Sequence, residues 1–534
     1  MQQSAIFLAI SLIVSNFVVY NRKYDTMLNL RKILCTVFVT ATGVAMATEP
    51  IQYSAEALAS YGDGDLAPYY MTANRYGKLT QTKNIQLDLG FKRDFDMSKK
   101  WSWSYGAEIV TGVASKTHYS YTQFNGTETI SFSADERPAT IWLQQLYGEL
   151  KYRSLFLSVG VKDRASGMLN FALSSGDVIQ SGNARSIPQV RAGFVDFQDI
   201  PLTKHFLQIL GEFSYGAMMD KKWYENHFNH YNGHYNADGL YHYKRVYFRT
   251  KTSNPFSATF GGQIVCLFGG DTYYYQGGKL VKTLHNKQDL DAFWQALLPR
   301  DTGVEGYYQG QSLGSWDINL RYRFKDNTQV KAYVQNLWED GSGMGKLNGW
   351  DGLWGLEYVA PKPGIISGAV AEYIQFTNQG GPMHWDPVDE VGTTLNQYQA
   401  TGADNYYNNG FYNSYCNYGM SLGTPFSKEP IRNLDGSVSY KHTRVKGYHF
   451  GINGDPFEGF SYRFLGSWRK SFGTYNAPLL TPQECTSFMV EAKYKIKSVK
   501  GLSIKGEFAA DFGKLYGDNV GGAVTVSYQG LFNF

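Results

Sequence analysis

The chain has 534 residues, among them 41 Tyr, 33 Phe, 11 Trp and 57 Gly, with only 16 Pro and 18% charged residues. That balance excludes most disordered classes and requires a sizeable packed or lipid-contacting surface. Mean hydropathy is −0.35, the net charge is a modest +4, and no run after residue 50 reaches the ~18 apolar residues of a spanning helix, which excludes a polytopic helical membrane protein.

Residues 1–26 contain an apolar stretch at 5–20 with no basic residue before it, and are expected to be an upstream segment from an over-extended start. Residues 27–47 carry the pattern of a signal peptide. Met27 is followed by Arg31 and Lys32, an apolar core (Ile33, Leu34, Val37, Phe38, Val39) and the small-residue site Ala45-Met46-Ala47. Cys35 lies inside the apolar core, which argues against a lipid-attachment cysteine. The mature domain is expected to be a single unit over 48–534, beginning near Thr48. Removing residues 1–47 takes away four cations and one anion, so +4 becomes +1. A near-neutral chain with no basic run has little with which to displace nucleic-acid counterions, and no nucleic acid is expected as a partner. Cys266, Cys416 and Cys485 are odd in number and irregular in spacing, which matches neither a disulfide framework nor a zinc site.

From residue 51 onward the chain alternates with period two. Trp316, Ile318, Leu320, Tyr322 and Phe324 oppose Asp317, Asn319, Arg321 and Arg323. Ile504, Phe508 and Phe512 oppose Ser503, Lys505, Glu507 and Asp511, and Val524, Val526 and Tyr528 oppose Thr525, Ser527 and Gln529. Such runs exceed the ~5–6 residues usual for a sandwich strand. Charge on one face and aromatics on the other fit a wall with lipid outside and water inside. The predicted strands are 51–60, 83–95, 101–113, 140–152, 154–162, 188–196, 206–217, 242–252, 256–268, 314–325, 327–338, 352–360, 365–377, 443–453, 459–471, 486–497, 501–512 and 521–534. Eighteen strands let short turns alternate with nine longer connections, the largest at 269–313 and 378–442. The expected fold is all-β, a transmembrane up-and-down antiparallel barrel with long external loops folding toward the lumen. Within 269–313, Leu290, Phe293, Trp294, Leu297 and Leu298 predict a short helix with enough apolar surface to dock, the lumen wall being one surface available to it.

The sequence resembles the capsule assembly Wzi family of outer-membrane proteins over nearly all of 48–534. The resemblance is carried by Leu143-Gln144-Gln145-Leu146-Tyr147-Gly148-Glu149-Leu150, by Ser181-Gly182-Asn183-Ala184-Arg185-Ser186-Ile187-Pro188-Gln189-Val190-Arg191 and by Leu313-Gly314-Ser315-Trp316-Asp317. Asp351-Gly352-Leu353-Trp354-Gly355-Leu356-Glu357 and Asp404-Asn405-Tyr406-Tyr407-Asn408-Asn409-Gly410 extend it. It implies an occluded eighteen-stranded barrel in the outer membrane of a Gram-negative bacterium, acting as a lectin that helps attach capsular polysaccharide. It attributes no catalytic residues.

Carbohydrate recognition needs aromatic faces for sugar C–H surfaces and planar polar groups for hydroxyls. Asp404, Asn405, Tyr406, Tyr407 and Asn408 combine these in the longest loop, although a hydrogen-bonded loop tucked into the lumen accounts for them equally well. Trp350, with Trp338 and Trp354, flanks a Gly-rich loop where membrane-girdle anchoring is the simpler explanation for some of them. Arg164, Arg185 and Arg191 can hold acidic sugars or phosphates, or pair with inward carboxylates such as Glu149 and Glu212. His227, His230, His234 and His242 lack a spacing that demonstrates convergence on a metal, and no metal or cofactor is expected. The many Ser and His residues cannot be paired into a catalytic arrangement from sequence, and a non-enzymatic role is expected. The expected partners are capsular or other surface polysaccharide and outer-membrane lipid, the expected state is a monomer, and the alternative function is a porin or substrate-specific channel.

Overall fold

The computed structural model describes residues 50–298, 310–339, 341–380 and 404–532, with the backbone at 384–385 and 399–400 in addition. The expected upstream segment and signal peptide, 1–47, lie outside the described residues.

Eighteen wall strands follow one another in chain order. They begin with β1 (Ile51–Asp63), β2 (Asn84–Arg93), β3 (Trp101–Ala114), β4 (Ile141–Tyr152), β5 (Leu155–Val161) and β6 (Gln189–Phe194). Next come β7 (Leu207–Ala217), β8 (Leu240–Thr250), β9 (Phe256–Phe268), β10 (Gln311–Arg323), β11 (Gln329–Trp338) and β12 (Gly352–Val359). The last are β13 (Gly368–Gln375), β14 (Val445–Phe457), β15 (Phe460–Gly473), β16 (Pro478–Lys495), β17 (Leu502–Phe512) and β18 (Asn519–Phe532). Each pairs antiparallel with its sequence neighbour, and β1 closes on β18 from Ile51↔Phe532 to Asp63↔Val520. Closure satisfies every edge, which a sheet immersed in hydrocarbon requires. The weakly patterned sixth strand is present and continues after a break as Gln198–Asp199 against β7.

The side chains are arranged inside out relative to a soluble sandwich. On β2, Ile85, Leu87, Leu89 and Phe91 are exposed while Asn84, Gln86 and Asp88 are buried. β17 repeats this with Ile504, Phe508 and Phe512 outward and Ser503, Glu507 and Asp511 inward. The expected loop before 486 is instead strand. β16 runs 18 residues from Pro478, and Lys470 pairs with Glu484 at 2.9 Å across the extended hairpin. The connections 474–477 and 513–518 are therefore short although they lie at the long-loop end.

Three of the long connections fill the lumen. Ala67, Tyr69, Tyr70, Met71 and Leu79 from 64–83, Leu173, Val178 and Ile179 from 162–188, and Tyr406, Tyr407, Tyr415, Phe426 and Tyr440 from 376–444 form one core. They pack against the inward Tyr243, Val265, Leu313, Tyr333, Leu337, Val370, Ile374 and Met489 of the wall.

Hydrogen bonds fasten this plug to the wall. Asp177 accepts from the backbone N–H groups of Ile179 and Gln180 and from the amides of Gln263 (2.8 Å) and Gln335 (2.6 Å). Glu372 accepts from Ser174, Ser175 and Tyr333. Arg75 reaches Glu507 in a bidentate pair at 3.1 and 2.5 Å, the geometry in which guanidinium–carboxylate contacts are strongest. Arg469 on β15 is fully buried, donates to Ser487 and lies over the rings of Tyr69 (3.6 Å), Tyr516 (4.5 Å) and Phe426 (5.4 Å). One cation thus gathers residues from three loops by cation–π contact.

Two long-loop segments turn outward rather than inward. The predicted helix forms as Leu290–Leu297, with Asp289 capping it through Ala292 N–H at 2.9 Å. It docks on the outer face of the wall over Leu240, Cys266 and Phe268, because the alternation of β8 and β9 points those three residues away from the lumen. The loop 341–350 likewise lies against the outward faces of β10 and β11.

Candidate functional site

Ile51 and Phe532, where the described wall begins and ends, lie at the short-turn end of the barrel, so the long loops form the opposite mouth, which in outer-membrane barrels faces outward. The expected site residues have different fates there.

Arg164 sits inside the wall network, donating to Glu149 at 2.6 Å and Ser158 at 2.8 Å, with Lys162 on the same carboxylate at 2.7 Å. Arg191 is sealed at 3% exposure against Glu212, with Nε at 2.9 Å and Nη2 at 2.5 Å. Arg185 is half-buried, and its guanidinium is sandwiched 4.4 Å from the Trp142 ring and 5.0 Å from the Tyr418 ring. No ion pair to it forms among the described residues. Lys162, Arg164 and Arg185 share a crevice with Gln180 and Gln189, so two of the three expected arginines converge and the third is closed off.

The stretch from Asp404 to Asn408 lies within the plug. Tyr406 and Tyr407 are fully buried; the Tyr406 hydroxyl accepts from Asn348 at 3.0 Å and the Tyr407 hydroxyl donates to Val178 O at 2.7 Å. Asn408 exchanges two hydrogen bonds with the Tyr440 backbone at 2.9 and 2.8 Å. Asn405 accepts from Thr443 at 2.8 Å, and the Asp404 N–H donates to Gln379 O at 3.0 Å. Trp350 is 69% exposed and packs 5.0 Å from Trp354, whose position between the inward Leu353 and the outward Leu356 places the pair on the outer rim.

The four loop histidines are separated. His227 stacks on Trp223 at 4.4 Å, His230 meets Glu225 O at 2.7 Å, His234 lies beside Tyr274 and His242 faces outward under the helix. No group of three metal-ligating side chains converges among the described residues.

A second constellation escaped the sequence reading. A pocket of about 300 Å³ at the mouth is lined by Lys428, Arg432, Lys441 and His442 from the longest loop, Asp65 from the first, and Tyr516 from the last. Asp435 is engaged by Lys441. Arg432 donates to Ala67 O at 3.1 Å and Thr72 at 2.8 Å, and its Nε is buried without a partner. Burial, then the charges of Arg432 and Lys441, push the Lys428 ammonium down to about 8. Burial with the same kind of neighbours pushes His442 to about 3, so its ring is neutral at pH 7. Lys428 and Arg432 beside the aromatic wall of Tyr516 give this pocket the chemistry to compensate an anionic group. Three basic residues within fifteen positions were visible in sequence, but nothing there brings in a tyrosine some eighty residues further on.

No protein-family model matches the sequence, and no curated protein is significantly similar to it. Among solved structures, Wzi of Escherichia coli is described as an outer membrane protein involved in group 1 capsule assembly and a carbohydrate-binding β-barrel. It superposes with a TM-score of 0.53 at 10% identity, covering 96% of this chain and 90% of its own. OccK5 (OpdH) of Pseudomonas aeruginosa superposes at 0.42 and 9% identity, covering 90% and 98%, and OprD of the same organism at 0.41 and 10%, covering 91% and 96%. At these identities only architecture is shared, and the motif resemblance drawn from the sequence has no match at the level of a family model. The chain is a large closed antiparallel β-barrel of the outer-membrane type, similar in fold to Wzi.

Proposed function

We propose that this chain is a monomeric, non-enzymatic outer-membrane barrel that binds capsular or another surface polysaccharide at its external mouth and supports its attachment to the cell. The observation that carries this reading is the plug: tyrosines and aliphatic residues from three loops pack against the inward wall where a channel would need water. A barrel filled in this way acts through the surface it presents. At the mouth, Arg185 between Trp142 and Tyr418 and the Lys428–Arg432 pocket beside Tyr516 combine cations with aromatic faces, as acidic sugars require. The carbohydrate binding in the description of Wzi agrees with this reading.

Titrating the refolded barrel with acidic and neutral surface oligosaccharides by calorimetry tests it. Arg185→Ala and Lys428→Met are each expected to weaken binding of the acidic glycan about tenfold, the factor for ~1.4 kcal/mol. Absence of binding to any surface glycan, together with steady ion current in planar bilayers, would overturn the reading in favour of a substrate-specific channel.

A further inference from the structure

Strand parity fixes which side of the wall the helix Leu290–Leu297 covers. On β8, Tyr241 and Tyr243 join the lumen core and Arg245 pairs with the inward Glu212, so Leu240, His242 and Lys244 face out. Tyr215 on β7 and Cys266 and Phe268 on β9 face out by the same count. The helix lies over this patch through Ala292, Phe293 and Ala296. The Tyr215 hydroxyl donates to Phe293 O at 2.8 Å, and Lys244 Nζ donates to Leu297 O and Ala296 O, carbonyls of the last turn that have no partner within the helix.

An outward lysine in contact with lipid costs ~2–4 kcal/mol at the bilayer midplane and ~0–1 kcal/mol near the interface. The helix removes Lys244 and the fully buried His242 from that contact and turns outward Leu290, Trp294 and Leu298, spaced four residues apart and 81%, 59% and 57% exposed. A strip of wall that carries Lys244 and His242 among apolar residues is thereby replaced by a wholly apolar one. The new strip continues the exposed apolar band of Phe213, Val246 and Phe260 on the strands beneath.

The neighbouring sector repeats the device independently. Asn336 and Trp338 on β11 face out, opposite Trp316 and Gly314 of β10, yet both are buried. The loop 341–350 covers them: Asn336 donates to Asn348 at 3.3 Å and the Trp316 indole to Met344 O at 3.3 Å. That loop in turn exposes Met344, Leu347 and Trp350.

We propose that these two segments form a collar embedded in the outer leaflet, with lipid acyl chains near the headgroups occupying their exposed apolar faces. Lipid is the occupant because both faces continue the hydrocarbon-facing wall, and because exposed Lys282 and Lys287, in the chain leading to the helix, complement headgroup phosphates. The collar stands whether or not the mouth binds glycan.

Single Leu290→Cys, Trp294→Cys, Leu298→Cys, Leu347→Cys and Asp291→Cys variants, spin-labelled after folding in bilayer nanodiscs, test this. The native Cys266, Cys416 and Cys485 are buried, and heat-modifiable gel migration checks each variant for a closed barrel. At 290, 294, 298 and 347, collision with dissolved oxygen is expected to exceed collision with a water-soluble nickel chelate, and the order is expected to reverse at 291. Nickel access at all five positions would show aqueous loops and overturn the proposal. Protection from both reagents would show a covering polypeptide and overturn it equally.

Discussion

Arg185 and Arg191 are six positions apart and serve opposite ends. Arg191 belongs to a strand whose register sets it beside Glu212, so its charge is consumed in the wall, whereas Arg185 precedes that strand and meets only aromatic faces. Period-two alternation made the inward direction of Arg191 legible. Trp142 and Tyr418 could not be read as the partners of Arg185, because they lie on other elements and are joined only by folding. The mouth pocket carries a pH signature. With the Lys428 ammonium depressed to about 8 in the free barrel, a bound anion raises it again, so binding takes up a proton above that value. Affinity for an acidic oligosaccharide should therefore be highest below about pH 8. As pH rises further it should fall by up to about tenfold per unit, until the pKa of the bound state is passed. Lys428→Met should flatten the profile, and calorimetry at pH 7, 8 and 9 measures it.

Among the elements, the wall strands were the most legible and the loops the least. Every predicted strand is present because its outer face meets lipid while its inner face meets polar groups and the plug, two environments that alternate along the strand. Loop length, by contrast, does not encode direction: 162–188 and 404–444 turn into the lumen, while the helix Leu290–Leu297 and the loop 341–350 lie over the outside of the wall. The helix shows why. Its apolar spacing was readable, but an apolar face fits a lumen core and a lipid-facing wall alike, and only the partners Lys244 and Tyr215 decide between them. The Tyr- and Asn-rich stretch at 404–408 was ambiguous for a related reason, since side chains suited to sugar are equally suited to satisfying a buried loop. The plug predicts its own weak point. Asp177→Ala leaves the Gln263 and Gln335 amides and two backbone N–H groups without that acceptor, at a cost of ~1–3 kcal/mol for each buried group left unpaired. Flickering conductance absent from the parent barrel is the expected result in planar bilayers, together with faster hydrogen exchange over 163–187.

At the scale of the whole molecule, a composition rich in aromatic residues and glycine is explained by one sheet closed on itself. Its stability is set differently on its two faces. Val526→Arg places a charge on the lipid face halfway along β18 and should destabilise the barrel by ~2–4 kcal/mol, whereas Val520→Arg, at the rim, should cost ~0–1 kcal/mol. Denaturant titration in lipid vesicles compares the two. The seam between β1 and β18 has a further consequence. Its register joins residues from opposite ends of the described chain, from Ile51↔Phe532 to Asp63↔Val520, while Arg469 and Glu507 hold loop residues from the first connection inside the same cylinder. A lateral opening at this seam gives the loops direct access to the interior, and once it shuts they can enter only by threading through the mouth. The seam thus divides the routes by which the loops can reach the interior, sideways before it closes and through the mouth after it.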